Sequence, residues 1–195
     1  MMYGPVHGFM LWNLYLALIP AFLAFVLFRR PARLGVGWWA GVGAWLLFLP
    51  NAPYVLTDVV HLVDDMHASR THESAYAYLA TYAVYIAAGL VSYVFSLQLF
   101  RRFLHRVGPR RAVLPILLVV HGLCVVAMYV GRFMRFNSWD AILAPRTVLA
   151  SIVVVPRPYT LVILAAMFVI VGVSACVTAA VGDKALAELR RLLAR

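Results

Sequence analysis

Asp58 and His61 stand three positions apart, and so do Arg132 and Arg135. The first pair offers a carboxylate and an imidazole for acid/base work or metal binding, and the second offers two guanidinium groups that can clamp an anion. Each pair lies in a dense polar motif. The first reads Leu49-Pro-Asn-Ala-Pro-Tyr-Val-Leu-Thr-Asp-Val-Val-His61 and the second Gly131-Arg-Phe-Met-Arg-Phe-Asn-Ser-Trp-Asp140. Tyr54, Asp58, His61 and Asp65 recur at i, i+4, i+7 and i+11, so a helix displays them as one polar stripe. Asp58 and His61 are the candidate catalytic groups, and Asn51, Tyr54, Arg132, Arg135, Asn137 and Asp140 are the candidate ligand-binding residues.

Each of these residues also has a plainer role. The stripe fits the solvated face of an interfacial helix. Arg132 can pair with Asp58 or meet a lipid phosphate, and Asn137 or Ser138 can cap a helix whose first turn holds Asp140. Tracing back along the helical face of Arg132 gives Met128, Cys124 and His121. That set suits a soft metal, but it is also ordinary packing, with His121 hydrogen-bonded to a neighbouring helix. Asn13 can join helices or complete the site, and Tyr78, Tyr82, Tyr85, Gly89, Ser92 and Ser96 share one helical face that reads as interhelical packing ahead of a tyrosine-lined cavity. The chain carries no Walker loop, dinucleotide glycine motif, nucleophile elbow, His-Glu-x-x-His or paired-cysteine metal motif. No motif requires a cofactor, and metal ligation stays unassigned.

The elements that position these residues are apolar spans. Mean hydropathy is +0.90 and charged residues make up 12% of the chain, about half the usual share in a soluble domain. Both polar motifs fall at the ends of such spans. Apolar runs at about Phe9–Phe28, Leu34–Leu49, Tyr76–Phe100, Val113–Tyr129 and Tyr159–Val181 predict an all-α, polytopic membrane bundle of five transmembrane helices. Pro20 should kink the first, and Pro50 and Pro53 should break the second, leaving Asn51 to satisfy loosened backbone. The run Thr147–Val155 is too short to cross a hydrocarbon core, so it reads as an interfacial or re-entrant segment before the last span. Residues 1–182 form one transmembrane domain in this reading, and 183–195 a basic amphipathic cytoplasmic tail. The first span has no secretory cleavage pattern and reads as retained. Cys124 and Cys176 fall within apolar runs and carry no redox signal.

Charge sets the expected orientation. Arg29, Arg30 and Arg33, then Arg101, Arg102, Arg106, Arg110 and Arg111, then Lys184, Arg190, Arg191 and Arg195 belong on one side if the spans number five. That side holds the whole formal charge of +10, because the remaining acidic and basic residues balance. The N-terminus is therefore expected outside and the C-terminus inside, in a multi-pass protein of the cell membrane. The basic pI is accounted for as a membrane address, which excludes a nucleic-acid partner in this reading. Gly172, Cys176 and Ala180 form a small-residue ridge on the last helix that suits close helix contact within the protein or with a second copy. Both polar motifs then share the outer end. An unpaired charge near hydrocarbon costs about 2.5–3.5 kcal/mol at a span's centre, so Asp58 and Arg132 should lie at one depth and near each other. Direct pairing would let the charge swap Asp58→Arg with Arg132→Asp recover more folded protein than either change alone.

The two motifs, with Trp12-Asn-Leu-Tyr-Leu-Ala-Leu-Ile-Pro20, resemble the bacterial and archaeal membrane-protein family filed as domain of unknown function number 1361. The resemblance covers nearly the whole chain. It implies a prokaryotic integral membrane protein and carries over no activity, substrate or assigned residue. Whether the protein is an enzyme stays open. One reading is a site at the outer face, Asp/His plus Arg, for a lipid headgroup or other anionic amphipathic ligand, with membrane lipids as partners. The alternatives are a small-solute or proton pathway through His121, which requires homo-oligomers, and a non-catalytic membrane scaffold.

Overall fold

A computed structural model describes residues 8–29, 35–69, 71–134, 136, 140–153 and 158–193. Long apolar runs without water to bond their backbone fold as helices, since a helix satisfies its own N–H and C=O groups. The order is α1 (Gly8–Phe28), α2 (Val36–Phe48), α3 (Asn51–Tyr54), a 3₁₀ turn (Val55–Asp58), α4 (Val59–Ala68), α5 (His72–Val107), α6 (Arg110–Phe133), α7 (Asp140–Leu143), α8 (Pro145–Val153) and α9 (Pro158–Leu193). No strand occurs among the described residues. Five stretches are long and apolar enough to cross a membrane: Gly8–Phe28, Val36–Ala68, His72–Val107, Arg110–Phe133 and Thr160–Val181. Each overlaps one of the five expected runs, and the second continues past the expected Leu49 through α3 and α4 to Ala68. Helix α5 extends past its expected limits at both ends, and α9 continues without a break into the expected tail.

Helix α5 is the axis of the bundle, packing on α1, α3, the 3₁₀ turn, α4, α6 and α9. Its buried residues, Tyr82, Tyr85, Gly89, Leu90, Ser92, Tyr93, Ser96, Leu99, Phe100 and Phe103, recur at helical spacing and form a seam along its length. Thr71 and Ser74 start it with a reciprocal capping box, Ser74 N–H donating to Thr71 Oγ1 at 3.2 Å. Gly89 sits where α3 crosses. A Cβ there would lie 2.3 Å from Val55 Cγ2 and 2.5 Å from the Ala52 carbonyl oxygen, so only glycine admits this approach.

The core has two clusters, a large one that runs from the basic end to Ala52 and Met128 and a small one beside the first polar motif. At the basic end, Phe28 meets Trp45 edge to face at 5.0 Å and also meets Phe100 and Phe103, burying one aromatic cluster between α1, α2 and α5. The last carbonyls of α1 would be orphaned there. Trp38 Nε1 donates to the Leu27 carbonyl at 3.3 Å, and the Arg106 guanidinium donates to those of Phe28 and Arg29. A cation at a helix C-terminus also opposes the helix dipole favourably. At the other end Met10, Ala17, Val55, Tyr82 and Tyr85 form the second cluster, directly beside the first polar motif. Pro20 is buried within α1. The nine residues of α8 reach about 13.5 Å as a helix and cannot cross a hydrocarbon core.

Candidate functional site

The prolines build the site's frame. Helix α2 stops at Phe48, Leu49 and Pro50 turn, and the chain resumes as α3, tightens into the 3₁₀ turn and relaxes into α4. Pro50 and Pro53 lack the N–H groups a continuous helix would need. Asn51 answers the break, its Nδ2 donating to the Phe48 carbonyl at 3.0 Å, and Thr57 Oγ1 donates to the Tyr54 carbonyl at 2.8 Å. The expected polar stripe forms and turns inward. Asp58 is 1% exposed, with its carboxylate at the meeting of α1, α5 and α6.

Three donors converge on it. Asn13 Nδ2 of α1 and the Tyr85 hydroxyl of α5 donate to Asp58 Oδ2 at 3.1 and 2.6 Å, and one Arg132 nitrogen of α6 reaches Oδ1 at 3.3 Å. A buried carboxylate left alone would cost several kcal/mol, and this set offsets that cost with one ion pair and two further hydrogen bonds. The expected meeting of Asp58 with Arg132 is therefore present, through direct contact. Tyr54 joins the same neighbourhood: a Cβ on Gly131 would stand 3.5 Å from its ring and 3.4 Å from the Phe136 carbonyl oxygen. The two polar motifs touch at both points.

Other members of the stripe go elsewhere. His61 is half-buried with its ring against Phe9 at 5.1 Å, and among the described residues it makes no hydrogen bond to Asp58 or Arg132. Asp65 accepts from the Tyr82 hydroxyl at 2.9 Å, repeating the tyrosine–carboxylate pairing nearer the start of α5. Asp140 is half-buried in the first turn of α7. Arg135 and Asn137 lie outside the described residues. Tyr85, whose helical face suggested packing, and Asn13, which the sequence offered as helix glue or as part of the site, are thus ligands of Asp58. Their signal was chemical: a tyrosine hydroxyl or an asparagine amide in an apolar helix needs a partner.

Deeper in the bundle His121, Cys124 and Met128 are buried on one face of α6. The Phe168 carbonyl of α9 can only accept, so His121 Nε2 carries the proton that it donates there at 3.0 Å. His121 Nδ1 then accepts from the Tyr93 hydroxyl at 2.7 Å. Both ring nitrogens are engaged, and among the described residues no group of three histidine, cysteine, aspartate or glutamate side chains gathers as a metal site. This histidine joins α5, α6 and α9. Gly172 of the small-residue ridge faces it, a Cβ there lying 3.4 Å from Nε2, while Cys176 and Ala180 are exposed.

Compared with known proteins, residues 12–173 match the model of a family described as protein of unknown function, DUF1361. No curated protein and no solved structure matches the chain.

Proposed function

The chain belongs to the DUF1361 family of proteins of unknown function, which supplies no activity, and we propose from its geometry a multi-pass membrane protein that binds an anionic amphiphile. The headgroup meets Arg132 at the outer end of the bundle. One observation carries this reading. Arg132 spends a single nitrogen on Asp58, keeps 24% of its side chain exposed, and finds no other protein partner for its remaining N–H donors among the described residues. A guanidinium presents five donors in a fixed fork, so one held at one corner remains able to bind phosphate or carboxylate. The distribution of basic residues supports the outer assignment.

Asp58 acts here as a positioning residue. With three donors on it and almost no exposure, it fixes Arg132 and has no open approach for a proton from a ligand. His61, half-buried and without a hydrogen bond among the described residues, is the group left to move a proton if the bound amphiphile is transformed. Tyr54 and Asn51 shape the broken helix beside the headgroup. The test is retention of phosphatidylglycerol over phosphatidylcholine by purified protein, read by native mass spectrometry. The preference should fall with added salt and disappear in Arg132→Gln, while His61→Ala keeps it. A folded Arg132→Gln protein with an unchanged preference overturns the proposal.

A static scaffold is the second reading, favoured by the complete satisfaction of Asp58. It expects Arg132→Gln to lose stability without changing lipid preference. The proton-pathway reading is opposed by His121, whose Nε2 bond ends on a backbone carbonyl that has no proton to pass on.

A further inference from the structure

We infer that the cleft between α6 and α9 holds one acyl chain of the amphiphile whose headgroup Arg132 contacts, an inference that rests on the anion-binding reading. The cleft measures about 410 Å³ and is lined by Gly122, Val125 and Val126 of α6 and by Leu164, Ala165 and Phe168 of α9. None of these side chains can hydrogen-bond, and the Phe168 carbonyl is already taken by His121. A polar headgroup has nothing to bind there, whereas a hydrocarbon chain loses nothing by entering.

The register of α6 ties the cleft to the charge. Val125 and Arg132 are seven residues apart, two turns on one helical face, and so are Gly122 and Tyr129. Those two turns span about 10 Å. Towards Arg132 the cleft meets the Tyr129–Thr160 hydrogen bond of 3.1 Å, which ties α6 to α9 one turn beyond Leu164. A ligand anchored at Arg132 thus finds an apolar slot along the same helix, at the depth its chain must occupy. The slot arises from sequence, because Gly122 leaves hollow what a side chain would fill: even its Cβ would come no nearer than 4.0 Å to Phe168. A second copy of the chain fits less well. A helix about 10 Å across would place only about one turn in this volume.

The full-length protein in phosphatidylcholine vesicles, with phosphatidic acid carrying a diazirine midway along one acyl chain, tests the inference. The same diazirine chain on phosphatidylcholine is the neutral control, and labelled peptides are mapped by mass spectrometry. The anionic probe should label 122–126 and 164–169 preferentially. Ala165→Phe and Val126→Phe, which fill the cleft from opposite walls, should each lower that labelling about tenfold, the scale of overpacking a filled site. Ala165 is exposed, so the first variant burdens no core. If anionic preference vanishes in Arg132→Gln while both filled clefts label as before, the cleft inference is overturned and the headgroup reading stands. If Arg132→Gln keeps the preference, the headgroup reading fails and the inference with it. Disulfide-linked dimers of Ala165→Cys in a Cys176→Ser background, without acyl labelling, would identify a second copy as the occupant and also overturn it.

Discussion

Tyr85→Phe removes one hydroxyl from the Asp58 cluster and almost no volume, so it isolates the hydrogen bond from α5 to the 3₁₀ turn. Two scales bracket its worth. Interhelical hydrogen bonds in membrane proteins average about 0.6 kcal/mol and reach about 1.7, whereas bonds to charged groups contribute roughly 1.5–3. The 2.6 Å length, the burial and the carboxylate acceptor favour the overlap of the two, about 1.5 kcal/mol. Asp58→Asn keeps the shape but leaves Arg132 without its counter-charge, and should cost about 3 kcal/mol, the lower edge for breaking a buried pair because Arg132 is partly exposed. The double variant should cost less than the sum by about 1 kcal/mol, since Tyr85 has lost its charged acceptor once Asp58 is amide. Reversible unfolding of detergent-solubilised protein by SDS, followed by circular dichroism, reads all three. Coupling below about 0.3 kcal/mol, the ordinary error of additivity, would refute the view that Tyr85 and Asp58 act as one unit.

The charge swap, by contrast, should not recover folded protein: position 58 is nearly unexposed and enclosed by Asn13 and Tyr85, and an arginine, much longer than aspartate, has no room there. Recovery above both single variants would overturn that. Gly89→Ala should destabilise by about 1–3 kcal/mol in the same unfolding assay, and Val55→Ala should rescue it only partly, because the Ala52 carbonyl remains in the way. His121→Leu should cost about 1–3 kcal/mol by removing two buried interhelical hydrogen bonds, those with the Phe168 carbonyl and the Tyr93 hydroxyl. Zn²⁺ or Cu⁺ should not raise the Tm of the parent protein through this histidine, and a His121-dependent rise would refute the packing role. A reporter fused after Arg195 should be active only when its activity requires the cytoplasm, and activity restricted to the outer side would reverse the orientation.

Sequence alone determined the number of spans, the break at Pro50 and Pro53, and the shared neighbourhood of the two motifs. Hydropathy and proline chemistry are local properties, readable residue by residue against the thickness of a bilayer. A lone carboxylate and a lone guanidinium near hydrocarbon also constrain each other at a distance, which is why sequence is enough to pair Asp58 with Arg132 across the chain. Tertiary structure decided the rest. How each helix rotates about its own axis depends on side chains meeting across helices, and at Gly89 on a backbone approach that no one-dimensional pattern specifies. That rotation turns Tyr85 and Asn13 onto Asp58, sends His61 to Phe9 and Asp65 to Tyr82, and engages both nitrogens of His121. The polar stripe was legible as a stripe, but which of its groups are sealed and which stay open depends on packing, because a shift of one helical position changes the neighbour a side chain meets.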